Sequence, residues 1–353
     1  MIPEYNKVHN KFKLNGINHD FEALKEVAYS FIKEGQSYEI EIGNFLLDWL
    51  DEKDFIEAKT SGSTGIPKDI KIKKQAMVNS AIATGDFFKL KPSDTALLCL
   101  PVNYIAGKMM LIRALILGLE LDSVEPKSKL SFNTEKMYQF VAMVPMQLES
   151  NIKSINNIKA LIIGGAQVSS ALIKKNQNNL KTKVYETYGM TETVSHIAVK
   201  ALNHSKKPYF KILPNIKIAR DGRDCLIIEA SQINEEKIIT NDIVKLHSKT
   251  EFEWLGRFDN VINSGGIKIF PEQVEVKLQE KIKERFFIAS EKNETLGEAV
   301  ILIIESKKNT FKSSFLKGLE AFEKPKAIYY VEAFIETTSG KIQRTKTLEL
   351  IKK

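Results

Sequence analysis

Phe21, Leu24, Val27, Ala28 and Phe31 recur three and four residues apart, and Ile42, Phe45, Leu46 and Trp49 do the same. That spacing puts each set on one face, so the first 50 residues predict two amphipathic helices. Beyond residue 60 the period changes. Short apolar runs at 96–100, 140–144, 160–163 and 184–187 are each closed by Pro, Gly or a polar break, and three of them lead into helical stretches at 106–118, 145–150 and 169–176. Continuous apolar strands alternating with helices predict βα units in a mixed or parallel sheet covered on both faces. Residues 209–262 turn β-rich, with alternation in NIKIARDGRDCLIIEA. A last unit opens at Pro271, suited to a first helical position, and continues through strands near 285–290 and 298–304, a helix near 310–322 and a strand near 326–331. The pattern predicts an α/β protein. A large mixed-sheet domain with a β-rich subdomain spans 1–258, and a small α+β domain spans 259–353.

Composition narrows the classes. Over 353 residues, 43% hydrophobic and 27% charged side chains suit a globular chain with a sizeable core and exclude disordered and fibrous classes. The net charge of +8 is spread out, and acids interrupt almost every basic run. A nucleic-acid face wants a denser basic stripe with stacking aromatics, so nucleic acid is not an expected partner. Cys99 and Cys225 make no disulfide framework, and the five histidines have no metal-ligand spacing; a reducing compartment is expected and a zinc site is not. The first 16 residues lack the apolar core of a signal peptide, and the most apolar stretch, 96–121, is broken by Lys108 and Arg113. No stable membrane insertion and a cytoplasmic location are therefore expected. Oligomeric state is not legible.

Chemistry concentrates in a few segments. Thr60-Ser61-Gly62-Ser63-Thr64-Gly65-Ile66-Pro67-Lys68 packs two glycines and four hydroxyl residues before a lysine, so backbone amides, hydroxyls and one cation can face an anion. It is not a Walker A loop, because Pro67 precedes the lysine and a strand-like alternation follows. Lys71, Lys73 and Lys74 in that alternation read as a solvated basic strand. Tyr188-Gly189-Met190-Thr191-Glu192-Thr193 closes a short strand, where α/β sheets place ligand groups. There Glu192 suits Mg²⁺, Thr191 a phosphate oxygen, and the Tyr188 ring a nucleobase. Two further segments are Gly256-Arg257-Phe258-Asp259-Asn260 with Ser264-Gly265-Gly266, and Thr337-Thr338-Ser339-Gly340-Lys341-Ile342-Gln343-Arg344, a loop presenting one lysine. Singly, each is as compatible with an ordinary turn.

In order and content these segments resemble the adenylate-forming acyl/aryl-CoA synthetase superfamily. Residues 60–68 correspond to its phosphate loop; Gly164, Gly165 and Ala166 to its adenine-side loop; 188–192 to its YGxTE motif; Thr240-Asn241-Asp242 to its TGD motif; 256–266 to GRxDDxIxxGG; and 336–344 to the PxTxxGKxxR end. The resemblance implies a ligase using ATP, Mg²⁺ and coenzyme A on a small-molecule carboxylate through an acyl-adenylate. It implies that Thr60, Ser61, Gly62, Ser63, Thr64, Gly65 and Lys68 hold phosphates. Gly164, Gly165, Ala166, Tyr188 and Gly189 would frame adenine, and Asp242 and Arg257 the ribose. Thr191 and Glu192 would serve the α-phosphate and Mg²⁺, and Lys341 the reacting carboxylate and α-phosphate. Asp259 would be the hinge of a small mobile C-terminal lid whose Gly265 and Gly266 face the pantetheine. Within the family, the strings at 100–115 and 185–198 point to an aromatic dicarboxylic acid, with Tyr104, Lys108, Arg113 and His196 as candidates around it, since a second carboxylate needs a donor or cation. Loading of a carrier-protein thiol, another acyl or aryl acid, and a nucleotide-binding protein that has lost the reaction are the alternatives.

The sequence departs from the family pattern in five places. Only 59 residues precede the phosphate loop, so the N-terminal ATP- and acyl-binding domain is short. Asn241 replaces a glycine, Asn260 an acid and Glu336 a proline, and Tyr104 stands where the family commonly has a histidine.

Overall fold

The computed structural model describes residues 2–59, 69–166, 168–169, 172–174, 181–205, 207–337 and 342–351. The two N-terminal helices form at Phe21–Glu34 and Ser37–Leu50, and Asp20 caps the first by accepting from the Ala23 amide. The apolar runs become strands Thr95–Leu98, Tyr138–Met143, Ile158–Ile163 and Lys183–Gly189. They lie side by side and parallel in a sheet with, among the described residues, thirteen strands. Helices Lys74–Phe88 and Ile105–Leu117 pack on one face with the N-terminal pair, and Pro145–Asn151 packs on the other.

Past Lys183–Gly189 the sheet becomes antiparallel, through His196–Ala201, Phe210–Ile212, Glu251–Arg257, Ile238–Leu246, Cys225–Glu229 and Lys217–Arg220. The alternation in 217–229 becomes a hairpin with Ile228 buried inside. A single-turn segment, Phe258–Asn260, links this sheet to a second one built from Ile262–Ser264, Ile267–Ile269, Phe286–Asn293, Gly297–Glu305 and Ala327–Val331. Helix Pro271–Leu278 starts on its proline and touches both sheets: the Gln273 amide donates to the carbonyls of Trp254 (3.2 Å) and Leu255 (3.0 Å).

Two expectations are corrected. Residues 310–322 are not an α-helix but two short 3₁₀ turns, Ser313–Leu316 and Ala321–Glu323, separated by Gly318 at φ +90°, a conformation no right-handed helix contains. Phe311, Phe315 and Leu319 still reach the small domain's core, which is why the apolar spacing looked helical. Lys74 is not solvated. It opens its helix with its ammonium fully buried, 2.7 Å from Asp51 and facing the Tyr5 and Trp49 rings. It thereby ties the N-terminal helices to the sheet domain.

Candidate active site

The parallel and antiparallel halves meet at Lys183–Gly189, and of the sequence-predicted residues Tyr188, Asp242 and Arg257 meet near its carboxyl end. Gly164, which follows strand Ile158–Ile163, lies so close to the neighbouring strand that a Cβ there would meet the Thr187 hydroxyl at 2.7 Å. Gly165 has φ +83°, and Ala166 beside it is exposed. These residues form a low rim next to Tyr188.

Tyr188, Asp242 and Arg257 come together from three strands. The Tyr188 hydroxyl donates to Asp242 Oδ2 at 2.6 Å, the Trp254 indole donates to Oδ1 at 3.1 Å, and Arg257 lies 3.5 Å from Oδ1. Asp242 and Arg257 are register partners on adjacent strands, so the pairing follows from the sheet. Burial, with the Asp242 carboxylate beside it, drives the Tyr188 phenol above its ordinary pKa, so it stays a donor at all physiological pH. Its ring meets Phe210 and Phe252 edge-on at 5.7 and 5.2 Å. A carboxylate offers about four acceptor positions, so Asp242 can still take ribose hydroxyls.

The loop at 190–195 is knotted. Thr191–Thr193 is a 3₁₀ turn, and the Thr193 hydroxyl receives the Met190 amide (2.9 Å) and has the Met190 and Ser195 carbonyls (2.9 and 2.8 Å) as acceptors for its one proton. Gly189 pairs with His196 beneath it, and a Cβ on Gly189 would collide with the Ser195 carbonyl. Thr191 is half-buried. Glu192 is exposed, and its carboxylate meets no cation among the described residues. Among those residues no three His, Cys, Asp or Glu groups converge on a metal position. A Mg²⁺ delivered with phosphate needs only one or two protein carboxylates, which Glu192 fits.

The acyl-side candidates divide. Arg113 and His196 are buried together, with Arg113 Nη2 3.4 Å from His196 Nδ1. Lys108 points elsewhere on the same helix, over the Phe45 ring at 4.5 Å, and burial lowers its pKa. Tyr104 precedes the helix with 67% of its surface exposed. Burial and the neighbouring guanidinium hold His196 well below the ordinary histidine pKa of 6.5, so it is neutral. With Nδ1 facing a donor, its proton is assigned to Nε2, which is buried without a partner among the described residues.

This has a stability consequence. Below pH 6.5 the unfolded chain takes up the His196 proton and the folded chain does not, so stability falls as pH falls, by up to about 1.4 kcal/mol per pH unit. Urea unfolding followed from pH 7 to 5 is expected to show a shallower loss in His196→Gln than in the parent chain. Equal slopes would place the effect at other groups.

Gly265 and Gly266, at φ +58° and +81°, are the central pair of the hairpin joining Ile262–Ser264 to Ile267–Ile269, a turn that requires positive φ at both positions. Asp259 is held by the Asn241 amide (3.3 Å) and Arg257 (3.5 Å). Asn241, where the family has glycine, therefore contacts the linker. Arg223 supports it from behind at 3.1 Å. Thr60, Ser61, Gly62, Ser63, Thr64, Gly65, Lys68 and Lys341 lie outside the described residues. Sequence reading missed Trp254, Arg223, Thr84 and Ser195. Only Ser195 stands beside a candidate residue, and no local pattern marks the others.

A mixed α/β sheet with Tyr188, Asp242 and Arg257 clustered where its parallel half meets its antiparallel half, and a small second sheet beyond a short linker, has the class of the adenylate-forming fold. The AMP-binding enzyme family matches residues 60–221. A Dyadobacter fermentans protein described as acyl-CoA synthetase (AMP-forming)/AMP-acid ligase II-like is 35% identical, with 93% of this chain aligned to 98% of that one at a TM-score of 0.62. The chain belongs to the AMP-binding enzyme family. A Haemophilus influenzae 2-succinylbenzoate–CoA ligase is 26% identical over 308 residues, 78% of this chain and 66% of the relative. The chain thus spans about two thirds of that curated relative. The Bacillus subtilis O-succinylbenzoate coenzyme A synthetase solved with ATP and magnesium ion shares the fold at a TM-score of 0.69 and 19% identity, over 86% of this chain and 74% of that one. Among the described residues no helix is long and apolar enough to cross a membrane.

Proposed function

We propose that the chain is an ATP-dependent, AMP-forming carboxylate–CoA ligase whose acid is o-succinylbenzoate. The observation that carries the reaction class is the Tyr188–Asp242–Arg257 cluster beside Gly164 at the carboxyl edge of the sheet, in a member of this family. The choice of acid is supported by curated relatives named 2-succinylbenzoate–CoA ligase.

In the first half-reaction a carboxylate oxygen attacks the α-phosphorus of ATP, and the bond to the bridging oxygen breaks as pyrophosphate leaves. No general base is needed, because a carboxylate is ionised at pH 7. Asp242 and Arg257 bind the ribose, and Tyr188 with Gly164, Gly165 and Ala166 bounds the adenine. Thr191 donates to the α-phosphate, and residues 60–68 hold the β- and γ-phosphates as charge grows on the leaving group. Mg²⁺, held by Glu192, would supply neutralising charge. Lys341 bridges the carboxylate and α-phosphate. In the second half-reaction the CoA sulfur attacks the acyl carbon and AMP leaves, after Asp259 lets residues 259–353 turn their Gly265–Gly266 hairpin toward the pantetheine.

The test is ATP–pyrophosphate exchange across carboxylic acids, followed by thioester formation with CoA. o-Succinylbenzoate is expected to outperform benzoate, acetate and long-chain fatty acids. A better rate with benzoate would remove the substrate assignment, and no exchange with any acid would remove the reaction class.

A further inference from the structure

Trp254 belongs to no motif named above, yet with Tyr188 it supplies the hydrogen bonds that hold the Asp242 carboxylate. Simple alternation along a strand would not allow it. Arg257 stands opposite Asp242 in the register, and on a regular strand a residue three positions earlier points to the other face. The register shows how the phase changes. Ile243 pairs with Gly256 and Val244 with Trp254, so one step on Ile238–Leu246 spans two on Glu251–Arg257, and Leu255 is left over. This is a β-bulge, a device that re-aims side chains and recurs beside active sites. Trp254 thereby comes opposite Val244, two residues from Asp242 and on its face, with the indole nitrogen 3.1 Å from Oδ1.

The bulge is braced from the small domain. Among the described residues, strand Glu251–Arg257 pairs with strand Phe210–Ile212 through Glu251 and Phe252 alone. Beyond them helix Pro271–Leu278 takes over, and the Gln273 amide donates to the carbonyls of the bulge residues Trp254 and Leu255. The fit is close: a Cβ on Gly256 would collide with the Glu272 carboxylate.

What the indole prevents is as telling. The terminal torsion of an aspartate is broad, so its partners orient the carboxylate more than its own rotamer does. Tyr188 fixes Oδ2 and Trp254 fixes Oδ1, while Arg257 stands off at 3.5 Å with 37% of its side chain exposed. Without the indole hydrogen bond the guanidinium is free to close on the carboxylate, because a bidentate pair is the stronger geometry. Arginine would then take the lone pairs that ribose hydroxyls need.

We propose that Trp254 is a positioning residue: aimed by the Leu255 bulge and braced by Gln273, it holds Asp242 open to the ribose hydroxyls of ATP. The inference rests on the ribose role given to Asp242 above. It makes nucleotide affinity depend in part on the small domain's helix.

The experiment compares Mg·ATP with Mg·dideoxy-ATP, which lacks both ribose hydroxyls, by calorimetric titration of the parent, Trp254→Phe and Gln273→Ala chains. The parent is expected to bind ATP at least about tenfold more tightly than the dideoxy nucleotide, since the hydroxyls meet a charged acceptor. Trp254→Phe keeps an aromatic ring and removes the N–H. It is expected to weaken ATP about fivefold or more and to leave dideoxy-ATP within about twofold of the parent. Gln273→Ala is expected to show the same selective loss in smaller measure, about two- to threefold. Such non-additivity between variant and nucleotide places the effect at the ribose hydroxyls, which a merely structural loss would not do. Parent-like ATP affinity in Trp254→Phe overturns the proposal. Equal losses for the two nucleotides also overturn it, because Trp254 would then be a packing residue. Parent-like behaviour of Gln273→Ala overturns the part given to the small domain. A parent chain that binds the two nucleotides alike, or neither, removes the ribose reading of Asp242 itself, and the inference falls with it.

Discussion

Lys341→Ala is expected to lower the adenylation rate by about 10²–10³-fold, the scale of removing one charge-stabilising donor from a transition state. The same variant, supplied with presynthesised acyl-adenylate and CoA, is expected to form thioester at close to the parent rate. Lys341 is the one cation in the string Thr337–Gln343. A compact ammonium there suits a carboxylate oxygen closing on an α-phosphate, where negative charge gathers, and has no counterpart in thiol attack on an acyl carbon. Stopped-time assays of the two half-reactions separate the outcomes. Equal loss in both would make the lysine structural or shared.

Asp242→Asn is expected to fail twice. The parent carboxylate accepts from Tyr188 and Trp254 and is ion-paired with Arg257 at 3.5 Å. An asparagine must turn an amide N–H₂ toward at least one of these donors and leaves a buried donor unmet, at about 1–3 kcal/mol of folding stability. It also gives up an acceptor that the ribose hydroxyls need, so the Mg·ATP dissociation constant is expected to rise at least about tenfold. Tyr188→Phe is the control. It deletes one hydrogen bond from inside the cluster, costs about 1 kcal/mol of stability, and leaves the ribose acceptors in place. Guanidinium unfolding together with nucleotide titration reads both quantities. A folded Asp242→Asn chain with undiminished affinity would end the ribose assignment.

How far the site was legible depends on how each residue is held. Tyr188, Thr191, Glu192, Asp242 and Arg257 sit in short strings whose spacing carries their chemistry, and the structure gathers Tyr188, Asp242 and Arg257 into one cluster. Trp254 completes that cluster without any string of its own. It lies three residues before Arg257, and only strand pairing between Ile238–Leu246 and Glu251–Arg257 brings its indole to Asp242. Gly265 and Gly266 read as ligand-facing glycines, and the fold gives them a second reason to exist, a hairpin turn. Lys108 and Arg113 were indistinguishable in sequence as cations flanking an apolar helix. The helix separates them: they are five residues apart, so one meets Phe45 on the N-terminal helices and the other the Thr84 and Ser195 hydroxyls.

Hydrophobic period and punctuation by Gly and Pro determined the elements, because a 3.6-residue or two-residue repeat must bury one face whatever else the chain does. That logic located the N-terminal helix pair, the four parallel strands and the helix opening at Pro271. It misread 310–322, where Phe311, Phe315 and Leu319 meet a core through turns, since spacing records burial and not backbone angle. Only the tertiary structure decided that Lys74 is buried on Asp51 and that Arg113 lies sealed among hydroxyls and an imidazole. Those outcomes depend on partners 23, 82 and 29 positions away. Long-range partners leave no periodic trace, because their contact is set by how helices and strands pack and not by local order along the chain.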